Sequence, residues 1–248
     1  MRRRYNEAVM VTRGRTARWW PVAAILLLLA ACQSKGAPQP APPAASSPAP
    51  RAGAAAPHAA TSARPRIVIL GDSLTAGLGL AKTEAFPALV QRKVDAAGYS
   101  YEVVDAGVSG DTSAGGLSRL DWSLDGNVRV LVVALGGNDG LRGLPVAEMT
   151  RNLGEIIRNA QARGIAVMLA GMESPTNMGP DYQRQFHDAF PALARQYRVA
   201  FLPFLLEGVA GRPDLNQHDG IHPTAEGARV IADHVWQILQ PMLVTPGR

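Results

Sequence analysis
The sequence predicts an α/β domain in three layers: a five-stranded parallel sheet between two layers of helices. Three observations carry this. Short, near-continuous apolar runs recur from about residue 65, and four of the five stop at a glycine. Stretches with apolar residues at helical spacing separate them. The two kinds alternate to the end of the chain. Strands buried on both faces read as unbroken apolar runs, whereas strands with one wet face alternate in polarity. Regular alternation of strand and helix puts the helices on crossovers between parallel strands.

The first run is Ile67, Val68, Ile69 and Leu70, stopped by Gly71. The second lies in 101–105, stopped by Gly107, and the third covers 128–135, stopped by Gly136 and Gly137. The fourth covers 165–170, stopped by Gly171, and a weaker fifth covers 199–202. Between them, 84–97 places Phe86, Leu89, Val90 and Val94 on one helical face, and 146–163 does the same with Met149, Leu153, Ile156 and Ile157. Further helices are predicted over 182–197 and 223–243, the last with Pro223 in its first turn,. In such folds ligands bind beyond the carboxyl ends of the strands.

Upstream of residue 65 the composition changes. Six arginines and one acid (Glu7) fall in residues 1–31; removing them from 25 basic and 20 acidic residues leaves 19 of each. The net charge of +5 therefore belongs to the leader, and a nucleic-acid partner, which needs a basic face on the folded domain, is not expected. Arg13, Arg15 and Arg18 precede an apolar run over 19–31, the layout of a secretory signal and short for a membrane span,. The run ends Leu29-Ala30-Ala31-Cys32, which resembles the lipobox of bacterial lipoproteins, where the cysteine becomes the acylated N-terminus. Cys32 is the single cysteine, so no internal disulfide forms and zinc patterns needing paired cysteines are excluded,. Gln33 after it, rather than aspartate, favours the outer membrane. Arg2, Arg3 and Arg4 lie far upstream, and Met10 is an alternative start.

Residues 33–64 are Ala, Pro and Ser with almost no bulky apolar side chain, and such a stretch buries too little surface to offset its ordering entropy. The expectation is a tether spanning roughly 30 Å as a coil and up to about 100 Å extended. The expected organisation is thus a signal peptide over 1–31, Cys32 and tether over 32–64, and one domain over 65–248.

The strand ends carry the chemistry. Ser73 follows the first strand in Gly71-Asp72-Ser73-Leu74-Thr75, placed to expose its hydroxyl at the sheet edge; a helix N-cap serine is the competing reading,. No Gly-x-Ser-x-Gly pentapeptide occurs,. Before the last helix stands Asp219-Gly220-Ile221-His222, where the aspartate can meet the imidazole Nδ1–H and leave Nε2 free for a serine proton,. His218 beside Asp219 competes less well, because adjacent side chains diverge. His58 falls in the tether, and His187 and His234 within helices. An acyl-transfer transition state needs several donors aimed at one oxygen. Gly110, the Asn138 amide and the N–H of Ser73 suit those roles, although glycine-rich turns alone would read the same way. Asp72, Asp111 and Asp139 are read as structural hydrogen-bonding groups, and no metal is expected.

Taken together, Gly71-Asp72-Ser73-Leu74, Gly110, Gly136-Gly137-Asn138-Asp139 and Asp219-Gly220-Ile221-His222 resemble the SGNH (GDSL) hydrolase family. The likeness covers nearly all of 66–243 and is nearest to the bacterial periplasmic thioesterase, lysophospholipase and arylesterase group. It implies a flavodoxin-like sandwich with Ser73 as nucleophile, His222 as base and Asp219 orienting it. It implies an oxyanion hole of Ser73, Gly110 and Asn138, and no cofactor. The implied substrate is a small ester or thioester, including lysophospholipid, hydrolysed by a monomer; the lipobox and tether are additions to the group's soluble periplasmic pattern, and from them the expectation is an enzyme anchored in the bacterial envelope at its periplasmic face. A polysaccharide or cell-wall deacetylase and a non-catalytic envelope lipoprotein are the alternatives. Residues 171–182 read as a loop beside the acyl pocket.

Overall fold
The computed structural model describes residues 64–243; the signal, Cys32, His58 and most of the tether fall outside them. The sheet has five parallel strands, β1 (Arg66–Gly71), β2 (Glu102–Gly107), β3 (Val128–Ala134), β4 (Ala166–Ala170) and β5 (Ala200–Leu202), in the order β2-β1-β3-β4-β5. The expected three-layer fold is therefore present. β1 pairs with β2 in simple register from Arg66–Glu102 to Gly71–Gly107, and with β3 after one irregularity at Arg66 and Ile67.

Burial follows position in the sheet. Ile67, Val68, Ile69 and Leu70 of β1 and Leu131, Val132 and Val133 of β3 are buried, as central strands covered on both faces require,. β2 and β5 are the edges and are largely half-exposed. β5 is only three residues long, consistent with the weak run that announced it.

On one face α2 (Phe86–Ala96) packs against α8 (Ala225–Leu239). On the other, α6 (Val146–Ala162) packs between α3 (Ser113–Ser118) and α7 (Pro180–Tyr197). Three further one-turn helices complete the set among the described residues: α1 (Ser73–Ala76), α4 (Leu120–Ser123) and α5 (Gly137–Leu141). None of these, nor α3, is long enough for a 3.6-residue period to be read from sequence. One boundary differs. Pro223 does not open the last helix; it bridges to Asn216, and Thr224 is the cap, accepting from the Gly227 N–H at 3.2 Å. A threonine hydroxyl satisfies an orphan N–H, which a proline cannot do.

At the amino ends of the strands Pro65, Tyr101, Asn127 and Met242 line an open depression of about 470 Å³. The two ends of the described chain thus meet at that pole. Among the described residues no helix is long and apolar enough to cross a membrane.

Candidate active site
The loops after all five strands converge on one cavity of about 490 Å³ at the opposite, carboxyl pole. Asp72 and Ser73 follow β1, Gly110 follows β2, Asn138 follows β3, Glu173 follows β4 and Phe204 follows β5; all line it. Here the chain steps from β1 outward to β2 and then back past β1 to β3, so the loops above β1 and β3 part and leave room for a ligand,.

Gly71 ends β1 at a place no side chain fits: a Cβ there would lie 1.9 Å from the Thr75 hydroxyl oxygen. The chain then turns directly into α1. Asp72, not Ser73, caps this helix, its Oδ1 accepting from the Leu74 N–H at 3.0 Å. The competing cap reading of Ser73 therefore does not hold, and its hydroxyl is left for another partner. That partner is His222, whose Nε2 lies 2.8 Å from Ser73 Oγ across 149 residues of sequence.

His222 is held from behind. Its Nδ1 lies 2.6 Å from Asp219 Oδ2, while Asp219 Oδ1 accepts from the Ile221 and His222 N–H groups at 2.9 and 3.0 Å. The backbone and ring hydrogen bonds from His222, with that from Ile221, hold the Asp219 carboxyl well below the usual carboxylate range. Gly220 makes the turn with φ of +71°, a conformation L side chains rarely adopt,. The tautomer that places the proton on Nδ1 and a lone pair on Nε2 is the one this carboxylate favours. His218 is exposed on the outer side of this loop and lines a separate surface depression.

The three residues expected to supply donors line the same cavity. Neither the Ser73 nor the Gly110 N–H donates to another described residue. The Asn138 amide differs from the simple expectation, because Nδ2 donates to the Asp111 carbonyl at 2.9 Å and to Asp72 Oδ2 at 3.2 Å. Both its N–H groups are engaged, which fixes which way the amide points. Asp72 is only 2 % exposed, and burial pushes its carboxyl up to about 6 against the opposing pull of the Leu74 N–H and the His222 ring.

The three aspartates read as structural hold the loops together. Asp139, buried after β3, accepts from the Ser113 hydroxyl at 2.6 Å and the Ser113 N–H at 2.8 Å. Asp111 accepts from Arg119 Nε at 2.6 Å, and Arg119 Nη2 also reaches the Gly71 carbonyl at 2.8 Å. Arg119 thereby joins the loop after β2 to the strand end that carries Ser73. Gln217 makes a comparable link on the other side, its Nε2 donating to the Leu78 carbonyl at 2.7 Å and the Pro223 carbonyl at 2.9 Å. Sequence reasoning missed both residues; an arginine and a glutamine in polar segments carry no periodic or motif signal.

The mouth is apolar. Leu78, Leu141 and Ile221 line it and stay close to half exposed. Residues 171–182 are only partly the expected loop. Met172 to Pro175 line the cavity, a single 3₁₀ turn covers Thr176–Met178, and α7 already begins at Pro180. Among the described residues no cluster of His, Cys, Asp and Glu has the arrangement of a metal site. The arrangement as a whole can move a proton from a hydroxyl to an imidazole beside two free N–H donors and an amide.

Residues 69–230 match the model of the GDSL-like Lipase/Acylhydrolase family. The chain is 42% identical over 178 residues to Esterase TesA of Pseudomonas aeruginosa, covering 71% of this chain and 89% of that protein. It is 38% identical over 178 residues to Thioesterase 1/protease 1/lysophospholipase L1 of Escherichia coli strain K12, covering 71% of this chain and 84% of that one. The crystal structure of TesA superimposes with a TM-score of 0.69, over 72% of this chain and 99% of that chain.

Proposed function
The chain belongs to the GDSL-like lipase/acylhydrolase family and is a serine ester hydrolase, and from that premise we propose that Ser73, His222 and Asp219 carry the reaction. Ser73 Oγ attacks the ester or thioester carbonyl carbon as its proton passes to His222 Nε2. The carbonyl electrons collect on oxygen among the N–H groups of Ser73 and Gly110 and the Asn138 amide. Of the two Asn138 bonds, the longer one to Asp72 is exchanged for this oxyanion. His222 returns its proton to the departing alcohol, phenol or thiol as the acyl carbon–heteroatom bond breaks. Water, deprotonated by His222, then attacks the acyl-Ser73 carbonyl; the acid leaves and Ser73 regains its proton. Asp219 stays ionised and keeps the imidazole oriented.

The observation that carries this reading is the 2.8 Å contact between Ser73 Oγ and His222 Nε2, made by residues from distant parts of the chain. Hydrolysis of p-nitrophenyl acetate by the wild type, and its loss to background in Ser73→Ala, is the expected result. Undiminished hydrolysis in that variant overturns the assignment. Trapping an acyl group on the peptide bearing Ser73, by mass spectrometry under rapid quench, locates the intermediate.

The remaining organisation is proposed from sequence alone: a signal over 1–31, acylation at Cys32, a tether over 33–64, and a catalytic domain beginning at residue 65 on the periplasmic side of a bacterial envelope. Labelled palmitate incorporated by the full chain and absent from Cys32→Ala is the expected result.

A further inference from the structure
The cavity is unevenly charged. Among its lining residues are the carboxylates of Asp72 and Glu173, and His222 is held by a third carboxylate, Asp219. No lysine or arginine is among them. Arg142, a cation beside the mouth, donates to the Gly110 carbonyl at 2.6 Å and is not part of the lining. Asp72 and Asp219 are committed to the nucleophile's turn and to the imidazole. Glu173 has no such duty. It sits on the segment after β4, open to solvent, with Oε1 at 2.7 Å from Nδ1 of His187 on α7.

We propose that Glu173 determines specificity by charge, its carboxylate disfavouring anionic substrates and directing the enzyme to uncharged or cationic esters. The inference rests on the Ser73 reading above and narrows its substrate class; acyl thioesters on anionic carriers fall on the disfavoured side. Apolar walls focus the field of a charge into the cavity they enclose, and the walls here include Leu74, Met172, Phe204 and Leu206. Under near-surface screening, one negative charge on a substrate ~8 Å from Glu173 lowers kcat/KM on the order of three- to tenfold. The Glu173 carboxylate and, more weakly, Asp188 raise the pKa of the His187 imidazole; while His187 is protonated the Glu173–His187 pair is neutral, so the effect grows as pH rises and the imidazole loses its proton.

Two matched ester sets test this. One is phenyl acetate, 4-acetoxybenzoate and 3-acetoxy-N,N,N-trimethylanilinium, which differ in leaving-group charge. The other is p-nitrophenyl butanoate and p-nitrophenyl hemisuccinate, which differ in acyl charge. Each substrate is compared between wild type and variant, so its intrinsic reactivity cancels. Glu173→Gln is expected to raise kcat/KM for the anionic member of at least one set by about three- to tenfold. It leaves the neutral members within about twofold, and Glu173→Asp keeps the wild-type ordering. In the wild type, raising NaCl from ~0.02 to ~0.5 M shortens the screening length from about 20 to about 4 Å and narrows the gap between anionic and neutral esters; this arm needs no variant to fold. Neutral and anionic rates rising together in Glu173→Gln, or a gap that the folded variant leaves unchanged whatever its response to salt, overturns the proposal. Failure of the wild type on the neutral esters would instead defeat the Ser73 reading itself.

Discussion

Replacing Asp72 with asparagine tests how the nucleophile's turn carries a buried carboxyl group. Burial moves this carboxyl from its ordinary 3.8 to about 6. A carboxyl whose pKa is higher folded than unfolded holds its proton more tightly in the folded state. The stabilisation from that proton is complete below about pH 4 and is lost as pH rises through about 6. The shift corresponds to about 3 kcal/mol. Asparagine does not ionise, so the stability difference between Asp72→Asn and wild type moves by about 3 kcal/mol between pH 4 and pH 8, in favour of the variant at the alkaline end. A second effect does not depend on pH. Asparagine offers one oxygen where Asp72 offers two, so it accepts from Leu74 or from Asn138 but not from both, at a cost of about 1 kcal/mol. Urea unfolding of both proteins across that pH range separates the two effects, one as a slope in the difference curve and the other as an offset. Titrating groups that do not act on Asp72, including Asp219 and His187, are common to both proteins and cancel. Difference curves that run flat would refute the claim that the folded protein holds Asp72 as a costly anion.

Three further outcomes are expected. Asn138→Ala removes a donor from the oxyanion and lowers kcat by about 10²–10³ with little change in KM, measured on short p-nitrophenyl esters. Gly107→Ala brings a Cβ to 2.3 Å from the Ala76 backbone nitrogen of α1; thermal unfolding shows a loss of about 1–3 kcal/mol and kcat falls as Ser73 is displaced, whereas Gly98→Ala, with nothing within 4 Å but a φ of +76°, costs stability through the backbone alone and leaves kcat unchanged. Arg119→Gln strands the Asp111 carboxylate, whose side chain is 18% exposed, and costs about 2 kcal/mol, below the 3–5 of a fully buried pair; Arg119→Lys restores charge but not the second bond to Gly71, so stability recovers more than kcat does.

The residues proposed to bear the chemistry are legible because they sit where periodicity stops. Ser73, Gly110 and Asn138 each follow an apolar run, and in a parallel sheet every run ends at the same pole. The pairing of Asp219 with His222 was legible for another reason: three residues of a turn suffice to bring carboxylate and imidazole together. What could not be read depends on partners distant in sequence. Asn138 is 66 residues from Asp72, Arg119 is 48 from Gly71 and Gln217 is 139 from Leu78. No local pattern reports such bonds. The helices α1, α3, α4 and α5 escaped because one or two turns carry too few residues to display a stripe. The start of α8 was misplaced because proline is common both inside the first turn and just before the cap, and only the Thr224 hydrogen bond distinguishes the two.

Pro65 and Met242 share a depression on the side of the sheet away from Ser73. The first and last stretches of the described chain therefore stand at the pole opposite the catalytic opening. An attachment made at that pole leaves the entrance uncovered. Immobilising it through either end should likewise leave turnover of dissolved esters intact.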